Sequence, residues 1–282
     1  MAKKLSLVNM KGGVGKSTLA VQLAYEYAIL TKWAKKVLLI DLDPQFNLSQ
    51  YLLGASTYEA EILKKNFPTM WTVFEQHTHM PGAQAPVQLD PHSVVFHAKK
   101  YGGGSLIDLI PSRLELAFSL RNPAQKEDLL VRLLPTIEKD YDIIIIDCPP
   151  TESLLTTAAY LTSDFVLVPV KPEYLSSIGL PLLNNSLNEF KSRYGSKKPD
   201  VAGVVFNFDS DYAPEERKSK IEVSGVCAGF GWYLFKNPVP YSKSFPKSAR
   251  EGSSLRWTTY SRSTTVQRFT KVAEELAGII GI

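Results

Sequence analysis

Short runs of apolar residues alternate along the chain with stretches whose apolar residues are spaced as in amphipathic helices. The runs predict strands at residues 4–9, 37–41, 106–110, 143–147, 165–170 and 201–208. The helical spacing predicts helices at residues 16–31, 124–139, 154–161, 182–194, 214–228 and 264–279. Strands that are apolar on both faces and alternate with helices are typical of a doubly wound α/β fold, in which helices cover both faces of a mostly parallel sheet.

The composition is that of a globular protein, with 44% hydrophobic and 21% charged residues, and we expect one domain over residues 1–282. Residues 57–105 are the least regular region, and we expect surface loops there. This region holds His77, His79 and His92, but without a recognised metal-ligand spacing, so we interpret them as loop histidines. Two distant cysteines without a C-x-x-C motif suit a reducing cytosol, and we expect a cytoplasmic protein.

The segment NMKGGVGKST reads as a phosphate-binding loop between the first strand and the first helix. The pattern G-x-x-x-x-G-K-[ST] is satisfied at Gly15, Lys16 and Ser17, but Met10 stands where its first glycine belongs, and a second lysine, Lys11, follows. Glycines let backbone amides turn toward a phosphate, and the helix N-terminus adds positive charge. Lys16 is placed to reach β- and γ-phosphate oxygens, and the Ser17 hydroxyl to bind Mg²⁺.

Acidic residues end two of the predicted strands. Asp147 ends IIIID, as the acid of a Walker B strand does, and Asp41 and Asp43 follow the strand VLLI on alternate positions. The carboxyl ends of parallel strands meet at one edge of a sheet, so these acids and the glycine loop are expected to converge there. The structural alternatives are a helix-capping aspartate for Asp147 and an ordinary turn for the other pair.

The net charge of +4 is unevenly distributed. Residues 236–271 contain eight basic residues and one acid, Glu251, which gives +7 and leaves −3 for the rest of the chain. This segment is rich in serine and threonine, and phosphate contacts are chemically natural for it. A solvated basic surface is the alternative interpretation.

Three segments in this order, KGGVGKST, VLLIDLDPQFNLS and DIIIIDCPP, resemble the deviant Walker A family of P-loop ATPases. Within that family the chain is most similar to the ParA/Soj partition ATPases. LIDLIPSRLELA, DFVLVPVKPEYLSSIGL and VPYSKSFPKSAREGSSL resemble further segments of these proteins. The likeness covers most of the chain and is looser over residues 57–105.

The resemblance implies ATP and Mg²⁺ as cofactors and an ATP-dependent homodimer. Lys11 would reach across the dimer to the partner's ATP while Lys16 binds its own, and Asp43 would support hydrolysis. The implied nucleotide-binding residues are Lys11, Gly12, Gly13, Val14, Gly15, Lys16, Ser17 and Thr18 in the loop, with Asn207, Pro238 and Pro240 near the adenine. The implied magnesium residues are Ser17, Asp41 and Asp147.

The resemblance also implies a nucleoid-associated protein. Partition ATPases bind duplex DNA without sequence preference and are activated by a ParB-like or other cargo-linked protein. The residues assigned to DNA are Lys243, Lys247, Arg250, Arg256 and Arg262.

Three other functions of related proteins are weighed against this one. A MinD-like membrane ATPase requires a basic amphipathic tail, whereas this chain reads KVAEELAGIIGI, and no membrane partner is expected. An electron-transfer ATPase needs cluster cysteines, and Cys148 and Cys227 do not match the expected positions. A biosynthetic, carboxylate-activating enzyme of the same fold remains open, because residues 57–105 have room for a substrate pocket.

Overall fold

The computed structural model describes residues 1–75, 89–121, 126–173, 176–210, 214–259 and 261–282. The strands are β1 (Lys3–Leu7), β2 (Lys36–Asp41), β3 (Phe96–Lys100), β4 (Leu106–Ile110), β5 (Ile143–Asp147), β6 (Phe165–Val170) and β7 (Asp200–Phe206). The α-helices are α1 (Lys16–Ile29), α2 (Asn47–Leu53), α3 (Ala55–Thr57), α4 (Met70–Glu75), α5 (Leu116–Ser119), α6 (Leu129–Ile137), α7 (Leu154–Thr162), α8 (Ser176–Tyr194), α9 (Pro214–Phe230), α10 (Ser244–Glu251) and α11 (Ser263–Ile280).

The described strands form one sheet in the order β3-β4-β2-β5-β1-β6-β7. Every neighbouring pair is parallel except β3 and β4, which are antiparallel. The chain starts near the centre of the sheet and winds outward in both directions. The doubly wound, mostly parallel α/β fold predicted from the sequence is confirmed.

Side chains alternate between the two faces of β5, and both faces are buried. Ile144 and Ile146 pack in the hydrophobic cluster that includes α6, α7 and α8, whereas Ile143 and Ile145 pack in the cluster that includes α1 and α11. A strand covered on both sides needs apolar residues at every position. This is why IIIID is the most apolar strand of the sequence.

Parallel pairing brings the chemically interesting residues to one edge of the sheet. Leu7, at the end of β1, and Asp41, at the end of β2, both align with Asp147 at the end of β5. The glycine loop follows β1 directly. The three segments therefore lie side by side at the carboxyl edge, as the sequence predicted.

Residues 57–105 differ from the expected surface loops. A π-helix, Tyr58–Lys64, continues from α3, and α4 and β3 follow it. The strand β3 is polar and lies at the sheet edge, so it lacks the apolar run that marks a buried strand. The residues at 76–88, which include His77 and His79, lie outside the described residues.

The predicted helices are confirmed with shifted ends. Helix α6 begins at Leu129, five residues later than predicted, and its expected first residues, 124 and 125, lie outside the described part. Helix α8 begins at Ser176 and not at Leu182. None of the described helices combines the length and apolar content that a bilayer span requires.

Candidate nucleotide site

The glycine loop turns tightly between β1 and α1. Gly13 and Gly15 have φ angles of 75° and 82°, which favour glycine. A Cβ atom on Gly15 would lie 2.4 Å from Asn207 Nδ2 and 2.6 Å from the Phe208 ring. The loop therefore needs glycine at this position both for its turn and for its contact with the segment that follows β7. Helix α1 opens at Lys16, where its free amide groups face an anion-binding position.

The Lys16 side chain folds back over the loop. Lys16 is 7% exposed, and its Nζ donates a hydrogen bond to the carbonyl oxygen of Asn9 at 3.0 Å. Burial lowers the pKa of the Lys16 ammonium, while the nearby Asp147 and Asp43 act in the opposite direction. An ammonium held over a phosphate loop is placed to bind phosphate oxygens.

Asp147 is fully buried beside this lysine. Neither of its carboxylate oxygens accepts a hydrogen bond of ordinary geometry from the described residues. Burial raises the pKa of Asp147 to about 7, and the adjacent Ser17 hydroxyl and Lys16 ammonium lower it. A buried carboxylate without donors, next to a hydroxyl, fits a hydrated Mg²⁺ ion, whose waters would satisfy both oxygens.

Asp41 is also fully buried, but its oxygens already have partners. Oδ2 accepts hydrogen bonds from Ser49 N at 2.9 Å and Ser49 Oγ at 2.7 Å, and Oδ1 accepts one from Asp43 N at 3.1 Å. Burial, followed by repulsion from Asp147, raises the pKa of Asp41. These contacts join β2 to α2 and fix the backbone of Asp43. The role of Asp41 near magnesium stays a prediction.

Asp43 borders an open cleft. Its Oδ1 accepts a hydrogen bond from Gln45 N at 2.9 Å, whereas Oδ2 accepts none from the described residues. Burial raises the pKa of Asp43, and the Gln45 amide and Lys16 lower it. One fixed oxygen and one free oxygen suit a carboxylate that orients a water molecule.

The Lys11 side chain contacts a carboxylate from a distant part of the chain. The backbone N of Lys11 donates to Asn9 Oδ1 at 2.8 Å, and its Nζ forms an ion pair with Glu173 Oε2 at 2.9 Å. Lys171 also pairs with Glu173, so two lysines share one carboxylate. The Lys11 side chain is 31% exposed. The side chains of Lys11 and Lys16 therefore contact different groups.

The cleft has a volume of about 910 Å³, within the usual range of small-molecule sites. One part of its lining is the phosphate loop with Asp43, Pro150 and Lys171. The rest comes from α2, from α10 and from the aromatic rings of Phe208 and Tyr241.

Comparison with known proteins agrees with this geometry. The family model described as AAA domain matches residues 2–200. The chain is 34% identical over 190 residues to the sporulation initiation inhibitor protein Soj of Bacillus subtilis, which covers 66% of this chain and 65% of Soj. It is 30% identical over 210 residues to the virulence plasmid ParA family protein pGP5-D of Chlamydia psittaci, which covers 73% of this chain and 69% of the relative. The structure of apo McdA from Cyanothece matches with a TM-score of 0.77 at 21% identity, covering 98% of this chain and 100% of McdA.

The chain belongs to the ParA/MinD family of P-loop ATPases. The resemblance drawn from the sequence motifs is thereby confirmed. The roles of the individual site residues stay predictions.

The residues assigned to adenine are not among those that line the cleft. Asn207 is 1% exposed, and its Nδ2 donates to the carbonyl oxygen of Val14 at 2.8 Å. Its Oδ1 accepts from Phe208 N at 3.1 Å. Asn207 therefore braces the phosphate loop, and neither Pro238 nor Pro240 lines the cleft. The adenine contacts of these three residues stay predictions.

The residues assigned to DNA do not form one surface. Arg256 donates two hydrogen bonds to the buried carboxylate of Glu26, at 2.8 and 2.7 Å, and so has a structural role. Lys247 lies 3.8 Å from Glu251, and Arg250 lines the nucleotide cleft. Lys243 and Arg262 are exposed. The ion pair with Glu26 gives Arg256 a structural role, and its contact with DNA stays a prediction.

Sequence reasoning missed Glu173 and Glu26. Both act through partners more than 160 residues away, Lys11 and Arg256. Glu173 belongs to the segment DFVLVPVKPEYLSSIGL, which is part of the family resemblance. No local spacing marks Glu26, which lies among apolar residues of the predicted first helix.

Proposed function

We propose that this chain is a Mg²⁺-dependent ATPase of the partition or positioning type. It binds ATP, forms an ATP-dependent homodimer that grips duplex DNA without sequence preference, and hydrolyses ATP when a cargo-linked partner activates it. The observation that carries the proposal is the carboxyl edge of the sheet. There the phosphate loop, the unsatisfied carboxylate of Asp147 and the cleft-facing Asp43 lie together.

The phosphate loop and its neighbours would hold MgATP. The loop amides and Lys16 would bind the β- and γ-phosphates, and Ser17 and Asp147 would hold the metal. Among the described residues no group of three or more His, Cys, Asp or Glu side chains could hold a metal on its own. Magnesium would thus depend on phosphate oxygens and water for most of its ligands, as is usual for this ion. When bound, the ion neutralises charge on the phosphates.

Hydrolysis needs a positioned water and charge compensation. Asp43 would orient the water with its free Oδ2, and Lys16 would stabilise the charge on the transferred phosphoryl group. Lys11 is supported as the residue that acts across the dimer, because its side chain is partly exposed and pairs with Glu173, and because Lys11 is not among the residues that line the cleft. A cation supplied in trans makes hydrolysis depend on dimerisation.

DNA binding is supported by the exposed part of the basic segment. Lys243, Arg250 and Arg262 are the assigned residues that are exposed and have no ion-pair partner among the described residues, and of these three only Arg250 lines the nucleotide cleft. Phosphate contacts by such side chains give affinity without sequence preference. We place the protein in the cytoplasm on the nucleoid, with a ParB-like or other cargo-linked activator.

The test is binding to random-sequence duplex DNA with ATP, with ADP and without nucleotide, across a salt series. We expect binding with ATP alone, and a linear fall of log K with log salt of about 0.9 per phosphate contact. Lys16→Ala, which removes the phosphate-binding lysine, is the control and should not bind DNA under any condition.

Equal DNA binding with ATP and without nucleotide would contradict the proposal that ATP controls DNA binding. Absence of DNA binding under every condition would contradict the partition role and leave the ATPase to be tested. ATP consumption with small carboxylic acids and sedimentation with vesicles would then separate a biosynthetic enzyme from a membrane ATPase.

A further inference from the structure

Helix α10 turns one face toward the nucleotide cleft. Phe245, Pro246, Ala249 and Arg250 all line the cleft, and they cover one side of the helix at about 100° per residue. Lys247 falls outside this arc and lies 3.8 Å from Glu251. The basic residues of α10 therefore face different surroundings, although they are close in sequence.

Helix α10 is held rigidly at the cleft. The Ser248 Oγ hydrogen-bonds the Tyr51 hydroxyl of α2 at 2.5 Å and accepts a hydrogen bond from Gln22 Nε2 of α1 at 3.3 Å. Gly252 directly follows the helix, and its carbonyl oxygen accepts a hydrogen bond from the Tyr25 hydroxyl at 3.0 Å. A Cβ on Gly252 would lie 3.2 Å from the backbone of Leu53, so the two helix ends are in close contact. Arg250 thus lies on a helix whose position at the cleft is fixed by these contacts.

The charges of the cleft lining favour an anion. The lining contains three cations, Lys16, Lys171 and Arg250, and one acid, Asp43. Lys171 is already paired with Glu173. Arg250 is exposed and forms no ion pair or side-chain hydrogen bond with the described residues, so all its guanidinium donors remain available.

We propose that Arg250 is a nucleotide-binding residue, whose guanidinium contacts the phosphate chain of ATP or ADP from the α10 wall of the cleft. This inference rests on the proposed nucleotide site. It assigns Arg250 to the ATPase site and not to the DNA contacts. It also means that bound nucleotide would contact α10, the helix that contains Lys247 and that begins directly after Lys243. Guanidinium–phosphate contacts are charge-assisted and directional, so the contribution should be measurable from a single side chain.

The test is calorimetric titration of the full chain with MgADP, which avoids hydrolysis and the ATP-dependent dimer. We expect Arg250→Ala to weaken ADP binding about tenfold or more. Arg250→Lys keeps the charge and should recover part of the affinity. Lys271→Ala removes an exposed cation of the same basic segment that does not line the cleft, and it should bind ADP like the unaltered protein.

Thermal unfolding of each variant without nucleotide separates binding from folding, because Arg250 lies in the last turn of α10, where a cation favours the helix. Unchanged ADP affinity of Arg250→Ala, with the unaltered protein binding ADP, would overturn this inference alone. So would a salt slope for DNA binding that falls by about one in Arg250→Ala at saturating ATP, without a loss of ADP affinity. No ADP binding by the unaltered protein would overturn the proposed ATPase as well.

Discussion

Individual residues at this site are constrained by neighbours from distant parts of the chain. Gly15 has a positive φ and lies against Asn207 and Phe208, which come from the far end of β7. Asn207 in turn donates a hydrogen bond to the backbone of the loop. The shape of the phosphate loop is therefore set jointly by its glycines and by this brace.

Gly15→Ala should lower the free energy of unfolding by about 2–4 kcal/mol, because it adds both backbone strain and a steric clash. It should also abolish nucleotide binding. Gly12→Ala is the matched control, since a Cβ there meets no atom within 4 Å and its φ is not positive. Urea unfolding of both variants checks this, and equal stability of the two would show that the contact with Asn207 is unimportant.

Asp147 makes stability depend on pH. Burial raises its folded-state pKa from 3.8 to about 7, so between these values the folded state holds a proton that the unfolded state lacks. The stability from this group is present below pH 3.8 and is lost as the pH rises through 7. In metal-free protein at pH 8, Asp147→Asn should therefore raise Tm by several degrees, with a smaller gain at pH 5.

Thermal unfolding at both pH values, with and without Mg²⁺ and ADP, measures this effect. Magnesium with ADP should raise Tm of the unaltered protein more than that of Asp147→Asn, because the charged carboxylate contributes to the metal site while the loop still binds the phosphates. A variant less stable than the unaltered protein at pH 8 would contradict an unsatisfied, metal-binding carboxylate.

At the scale of elements, an ion pair joins the first helix to the end of the chain. Glu26 of α1 is 2% exposed, and it accepts hydrogen bonds from Arg256 and from the Thr270 hydroxyl of α11. The segment after α10 is thereby fixed on the helix that carries the phosphate loop. Arg256, which the sequence assigns to DNA, is thus also part of the framework that holds these helices together.

Arg256→Ala should cost about 3–5 kcal/mol of unfolding free energy, because it leaves the Glu26 carboxylate buried and unpaired. The double variant Glu26→Leu/Arg256→Met should regain much of this loss, since it removes both charges. Urea unfolding measures both variants. If Arg256→Ala were as stable as the unaltered protein and only DNA binding fell, the framework role would be wrong.

In the molecule as a whole, the residues of the site lie along the carboxyl edge of the sheet, and Lys11 is a partly exposed residue at this edge. In the single chain Lys11 is paired with Glu173 and not with a group of the cleft. In the proposed dimer, the phosphates of the partner's nucleotide would have to replace this carboxylate before Lys11 could act in trans. Dimerisation and ATP binding would therefore be coupled through a single side chain.

Asp43→Ala should bind ATP and remain dimeric, with turnover reduced roughly 100-fold or more, because a group that orients the attacking water is lost. Lys11→Ala should still bind ADP as a monomer and should fail to dimerise with ATP. Light scattering after size-exclusion chromatography, together with phosphate release, distinguishes the two variants. A monomeric Asp43→Ala in ATP, or a dimeric Lys11→Ala, would contradict these roles.

Local sequence determined the parts of this protein that depend on neighbours in the chain. The unbroken apolar run of β5, the glycines with the lysine at the head of α1, and the acids that end β2 and β5 all follow from short-range patterns. They predicted the α/β fold and the edge where the site lies. Those patterns reflect backbone geometry and burial, because a strand repeats its orientation every two residues and a helix every 3.6 residues.

Only the tertiary structure decided which side chains meet. It paired Arg256 with Glu26 and Lys11 with Glu173, placed Asn207 under the phosphate loop, and turned Arg250 into the cleft. It also formed β3, a polar edge strand that pairs with β4. Each of these contacts joins residues that local periodicity does not relate, because a charged side chain gives the same signal in a sequence whether it faces solvent, a buried partner or a ligand.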